Sequence, residues 1–321
     1  MAIDLGAARS DALLRRLDKR LNGVYSAAYR KAVQNESAAL AQLAAFDPAA
    51  LKEAGYTSTQ VRTEAILLNQ KVQRETRVAN RIASELADTG RQAAELIRGE
   101  MLNVYGLNLD WARYTIDRQA GIMLNWTIYD RQQLTVLLTQ QQPPFTRIAY
   151  QRLGQDRHIV QRLQNTFLQG TILGENKQAL TRRVQAITGQ SYKQALRVAQ
   201  TERTRVQSQA RYQGTKEAAD LGLQMDKQWI SRMDMRVRDD HAFVTGEVVA
   251  YDQAFSNGLN FPGDPEGDAE EVINCRCVLK NLVRNVPPAI KAHREKMSAA
   301  YGFDAWRADR MAVAAGMGVD F

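Results

Sequence analysis

Asp234-Met235-Arg236-Val237-Arg238-Asp239-Asp240-His241, a Gly-rich acidic loop, and Asn274-Cys275-Arg276-Cys277 end the part of the chain where hydrophobic spacing stops being helical. The change comes after Gly222. Residues 225–230, 244–251 around a Thr245-Gly246 turn, and 272–279 read as short strands of an antiparallel sheet or hairpin. Nearly everything before them has three- and four-residue apolar spacing. The expected fold is therefore α+β and predominantly α-helical: a long helical N-terminal region, a further helical segment and a small antiparallel β module.

The same stretch concentrates the chemistry. Residues 234–277 hold both cysteines and one of three histidines, among ten acidic and three basic residues. Read as a strand, 272–279 places Ile273, Cys275, Cys277 and Leu279 on one face, and Asn274 and Arg276 on the other. Two thiols on one face suit a shared metal. His241 would supply a third ligand and Asp240 a fourth, and thiolate with imidazole is the usual donor set of zinc. The competing reading makes Cys275 and Cys277 small core residues and His241 a hydrogen-bonded loop residue. Asp234, Arg236, Arg238 and Asp240 also alternate, which allows a ladder of salt bridges. An Asp-His pair followed by an asparagine some thirty residues on is similar to a metal-dependent nuclease hairpin, but here the asparagine leads into a strand. A thiol nucleophile has less support, because nothing in the sequence depresses a thiol pKa.

Working back from this stretch, residues 191–219 form an expected helix capped by Ser191 with Gln194 at N3. Its apolar stripe is Ala195, Val198, Ala199, Val206 and Ala210, and Glu202 falls on that stripe. A carboxylate there needs a partner, and an arginine or interface pairing is preferred to catalysis. A shorter helix is expected over 177–187, ending at Gly189, and another over 155–169. Gln140-Gln141-Gln142-Pro143-Pro144 is the clearest boundary. The expected domains are thus 1–142, 143–286 and 287–321.

Nearer the start, residues 9–32 and 36–45 read as helices, and Asp47-Pro48 as a helix start that ends at Gly55. Thr57 with Gln60 opens a long helical run, with a break at Gly90 and a turn at Tyr105-Gly106-Leu107-Asn108. Residues 111–138 read as mostly helical, with 135–138 as a competing strand. The tail reads as a helix over 289–300 and a weaker one over 305–314.

The 321 residues carry a net charge of +8, unevenly placed. Twelve Lys and Arg face three acids over 143–211, whereas ten acids face two arginines over 234–271. A basic face for a polyanion is one reading, with Arg182, Arg183, Arg197 and Arg205 as candidate phosphate contacts; helices that carry arginine for solubility are the other. Aromatic residues are sparse there, which argues against base stacking. His158 and His293 read as surface residues. A lone C-x-C makes no disulfide framework, so a reducing cytoplasm is expected. No signal peptide or membrane span is recognisable.

The ordered series Ala199-Gln200-Thr201-Glu202, Lys227-Gln228-Trp229, 234–241, Gly246, Phe255, Pro262-Gly263-Asp264-Pro265 and Asn274-Cys275-Arg276-Cys277 resembles the Mu F-like head-morphogenesis family, minor capsid proteins of tailed bacteriophages. The resemblance covers about residues 155–285. It implies a virion component, made in the bacterial cytoplasm, that sits inside the capsid near the portal vertex and assists assembly, DNA packaging or genome delivery. The implied partners are the portal protein, a major capsid or scaffolding protein, and packaged double-stranded DNA. The family's recurrent features carry over to Thr201, Glu202, Asp234, Arg236, Arg238, His241, Cys275 and Cys277. Residues 1–142 become the portal- or capsid-docking region. The short tail leads one to expect no effector domain, and a metal-dependent hydrolase or nuclease is the alternative.

Overall fold

The computed structural model describes residues 4–44, 58–140, 142, 144–154, 162–163, 165–166, 177–232, 234, 236–298 and 300–318. Helices dominate and one three-stranded antiparallel sheet completes the fold, as the periodicity indicates. The long helices are α1 (Leu5–Ala44), α2 (Ser58–Ala120) and α5 (Lys177–Asp220); α3 (Arg131–Gln140) and α4 (Pro144–Gly154) are short. The expected features at Asp47-Pro48, Gly55, Thr57, His158, Ile159, Phe167, Gly170 and Gly174 lie outside the described residues.

Several expected breaks are absent, each for a local reason. At Gly90 α2 runs on without interruption, since one helical glycine costs only about 1 kcal/mol and packing outweighs it. The expected turn at 105–108 is also helical. Asn108, fully buried, donates to the Val104 carbonyl and to Ser10 Oγ and accepts from Arg211 Nε, so its polarity serves tertiary bonding. Ser191 caps nothing. Its hydroxyl and that of Thr188 donate to the carbonyls of Ile187 and Val184, and α5 passes straight through Gly189. Residues 135–138 are helical because Asp130 and Gln133 cap α3 reciprocally. Pro144 stands at the first position of α4, where its missing N–H costs nothing.

Two compact units divide the chain: Met1–Leu17, Ile97–Ile148 and Arg197–Phe321 in one, Asp18–Leu96 and Ala149–Leu196 in the other. The second is helical where described. In it Tyr25 and Tyr192 meet edge to face, Tyr192 donates to Asp18, and Lys31 pairs with Glu85.

The first unit holds the sheet, in the order β2-β1-β3: β1 is Gln224–Ile230, β2 Val248–Ala250 and β3 Val278–Asn285. Central β1 buries Met225, Lys227 and Trp229 on alternate positions and pairs Trp229 with Leu279 and Gln228 with Val248. Short helices α6 (Asp239–Phe243) and α7 (Ala269–Val272) interrupt the strand connections, and α8 (Pro288–Ala292) follows β3. The expected strand at 244–251 is thus a turn followed by β2 alone. Residues 272–277 are the end of α7, a turn and an extended approach to β3.

One core of this unit gathers Tyr114, Ile116, Trp126, Leu223, Met225, Phe303 and Trp306. The tail belongs to it through α9 (Phe303–Gly316), which is longer than expected, whereas the helix expected over 289–300 stops at Ala292. Asp117, fully buried, accepts from the indole N–H groups of Trp126 and Trp306 and the Leu124 amide, so it clamps α9 to the segment after α2. Burial pushes its carboxyl up to about 6 despite those donors. No described helix is long and apolar enough to cross a membrane.

Candidate metal centre

A second core, of Trp229, Val244, Phe255, Leu259, Phe261, Cys275, Cys277 and Leu279, encloses the motif residues. Its polar centre is His241, 1% exposed, carried into the interior on the single turn of α6. Nδ1 lies 3.5 Å from the Cys277 sulfur and 3.7 Å from that of Cys275, while Nε2 lies 2.8 Å from Glu271 Oε2. Both thiols are 2% exposed and free. The imidazole and the two sulfurs fall within 4.8 Å of one another, a group that could hold a metal ion.

The surroundings fix the ring. Trp229 packs edge-on against it at 5.2 Å, and its indole donates to Ser231 Oγ. Ser231 in turn donates to the His241 carbonyl at 2.5 Å and lies 3.4 Å from Cys277. Burial alone would lower the His241 pKa; hydrogen bonds and charge from Cys277 and Glu271 outweigh it and raise it. The thiols diverge. Cys277 falls to about 4 through its hydrogen bond with Cys275, reinforced by His241 and Ser231, and Cys275 rises because Cys277 and burial disfavour its thiolate.

The two thiols face one way, as alternation predicts, although strand pairing starts only at Val278. Asn274 achieves this with a left-handed backbone, φ 59°, which swings the chain out of α7. Its amide donates to Thr201 Oγ1 at 3.1 Å, and the Cys275 carbonyl accepts from Thr204 Oγ1 at 2.5 Å. The Thr-Glu and Asn-Cys-Arg-Cys motifs are therefore joined. Glu202 forms the expected arginine pair: Arg205 binds it with two N–H groups at 2.9 Å, Thr146 adds a third donor, and the whole pair is buried.

Other expectations need correction. Asp240 is exposed and lies outside the candidate ligand group, because it opens the turn that His241 completes inward. Asp234 and the arginines form no ladder. Asp234 pairs with Arg276 across the module and accepts the Arg236 amide, while Arg238 donates to the Ile273 carbonyl. Arg205, 1% exposed, is committed to Glu202 and Gln209 and is closed to phosphate. Arg182 and Arg197 are exposed and Arg183 half-buried. His293 is exposed. Sequence reasoning missed Glu271, Ser231 and Thr204; the acidic run 268–271 marked Glu271 only as one carboxylate among many.

Residues 161–280 match the family described as Phage Mu protein F like protein, within the span the motif series marks. Over 212 residues the chain is 30% identical to NAD(+)--arginine ADP-ribosyltransferase EFV of Enterococcus faecalis (strain ATCC 700802 / V583), covering 64% of this chain and 42% of that protein. Over 139 residues it is 27% identical to Minor head protein GP7 of Bacillus phage SPP1, covering 42% of this chain and 45% of that protein. The chain thus spans less than half the length of either relative. No solved structure matches it.

Proposed function

We propose, from the premise that residues 161–280 make this chain a member of the Mu F-like head-morphogenesis family, that it is a phage minor head protein. It binds the portal and the procapsid interior and assists head assembly, DNA packaging or genome delivery. Residues 1–142 dock on the portal or on a capsid or scaffolding protein. Exposed Arg182 and Arg197, with Arg183, neutralise phosphates of packaged DNA.

The observation that carries an assembly role for the module is the convergence of its motif residues on a sealed, cross-braced centre. In our reading that centre is a structural zinc site held by His241, Cys275 and Cys277. Zinc bonds of about 2.3 Å to thiolate and about 2.1 Å to imidazole, at a tetrahedral angle, separate nitrogen from sulfur by about 3.6 Å. The Nδ1–sulfur separations here are 3.5 and 3.7 Å. Bound zinc would cross-link α6 to the approach to β3, two segments with little regular structure of their own. A metal-dependent hydrolase or nuclease at the same residues would use the fourth position that three protein ligands leave, and substrate would have to reach it; ligands 1–2% exposed support the structural role instead. The transferase activity in the Enterococcus relative's name is that of a protein only 42% covered by the match.

The test is co-sedimentation of the full chain with purified portal rings, alongside its incorporation into heads assembled in its presence. Association with the portal and a few copies per head are expected. A chain that neither sediments with the portal nor enters heads refutes the assembly role.

A further inference from the structure

We infer that Glu271 is a positioning residue of the metal centre: it accepts a hydrogen bond from Nε2–H of His241, so that the Nδ1 lone pair is left facing Cys275 and Cys277. The inference rests on the zinc reading above and names the residue that prepares the ligand. The two ring nitrogens have different partners, a carboxylate oxygen at 2.8 Å on one and two sulfurs at 3.5 and 3.7 Å on the other. Neutral imidazole carries one proton, and whichever nitrogen donates leaves the other as the ligand. A carboxylate beside Nε2 settles that choice in favour of metal at Nδ1, the carboxylate–histidine–zinc arrangement of many metal sites.

The local fold supports this role. Glu271 lies on the single turn α7, anchored by fully buried Val272, and its side chain is 27% exposed. Four residues later the chain delivers Cys275. One short segment, 271–277, therefore supplies both sulfur ligands and the group that orients the nitrogen ligand. Trp229 against the ring, and the hydroxyls of Ser231 and Thr245 on the His241 carbonyl, leave the imidazole little freedom to turn over.

The experiment measures zinc affinity of the full chain by chelator competition in wild type, E271Q, E271A and the C275S/C277S double variant. Cobalt(II) spectra and nitrogen-15 spectra of the zinc-bound imidazole accompany it. The expected results are one zinc per wild-type chain ligated at Nδ1, affinity lowered about 10- to 100-fold in E271A and less in E271Q, and none in the double variant. E271A should still give a thiolate–cobalt spectrum, with shifted bands. Wild-type affinity and spectra in both Glu271 variants, or ligation through Nε2, overturn the inference and leave the zinc site standing. A wild-type chain that takes up no zinc overturns the zinc reading and this inference together. If E271A does not fold, E271Q decides by the same readouts.

Discussion

The backbone amide of Asn274 donates to Thr201 Oγ1 at 3.1 Å, which binds the left-handed residue before the cysteines to the long helix α5. Thr204, one turn on, secures the next carbonyl, that of Cys275. Thr204→Val keeps the shape and removes the hydroxyl that donates to that carbonyl. It should cost about 1–3 kcal/mol, read as a lower urea midpoint at unchanged slope. At the neighbouring position, Asn274→Gly should be tolerated, and Asn274→Val should cost about 1–3 kcal/mol because a β-branched residue resists positive φ. Equal stability of the two Asn274 variants would count against a backbone role.

The Glu202–Arg205 pair is buried on both sides. Glu202→Ala takes the carboxylate away from the buried guanidinium, which keeps Gln209, and should cost about 3–5 kcal/mol in equilibrium denaturation. Glu202→Leu combined with Arg205→Leu should cost less than the two single changes summed, since neither charge is then left alone. Additive losses would mean that the two residues act separately.

Gly263 has φ +81°, and a Cβ there would stand 2.9 Å from the Arg205 backbone Cα. The Pro-Gly-Asp-Pro loop lies directly on α5. Gly263→Ala should lower stability by about 2–4 kcal/mol, combining overpacking with a disfavoured backbone angle. Gly258, also at positive φ but with open space around it, should show only the smaller backbone cost under the same substitution.

Lys227 is fully buried on β1. Its Nζ has no hydrogen-bond partner among the described residues and lies 4.9 Å from the Tyr212 ring and 5.3 Å from the Phe255 ring. Burial pulls its pKa from 10.5 down to about 8, against the pull of Asp264 and Asp252. Between those values the unfolded chain binds more protons than the folded one, so this residue makes stability rise with pH from about 8 to 10.5. Lys227→Met should abolish that increment, so that wild-type-minus-variant stability rises from about pH 8 to 10.5, and should stabilise the protein at pH 7 by about 1–3 kcal/mol. A variant less stable at pH 7 would mean that the ring contacts outweigh the desolvation.

Cys275 and Cys277 show how far local pattern reaches. Period two put both sulfurs on one side, and this held even though the pairing partner takes over only at Val278, because extended backbone alternates with or without a neighbouring strand. Glu202 was legible as an arginine partner because a carboxylate on an apolar stripe must be neutralised wherever it is buried. Glycine spacing would break the long helices at Gly90, Gly106 and Gly189, but tertiary packing outweighs about 1 kcal/mol of glycine penalty there and nearby hydroxyls bond within the helix.

Local spacing and residue order were enough for the fold class, through the loss of helical spacing after Gly222, for the shared side of the two thiols, and for the family resemblance carried by an ordered series of motifs. Those are properties of neighbouring residues, or of their order. Packing brought Glu271 rather than Asp240 to His241, set Thr201 and Thr204 on the cysteine turn, and turned Arg205 inward. The first two join residues 30 to 73 positions apart through buried and half-buried hydrogen bonds, whose geometry depends on how helices and loops pack and leaves no periodic trace along the chain; the Arg205 pair is an i, i+3 neighbour whose burial alone is tertiary.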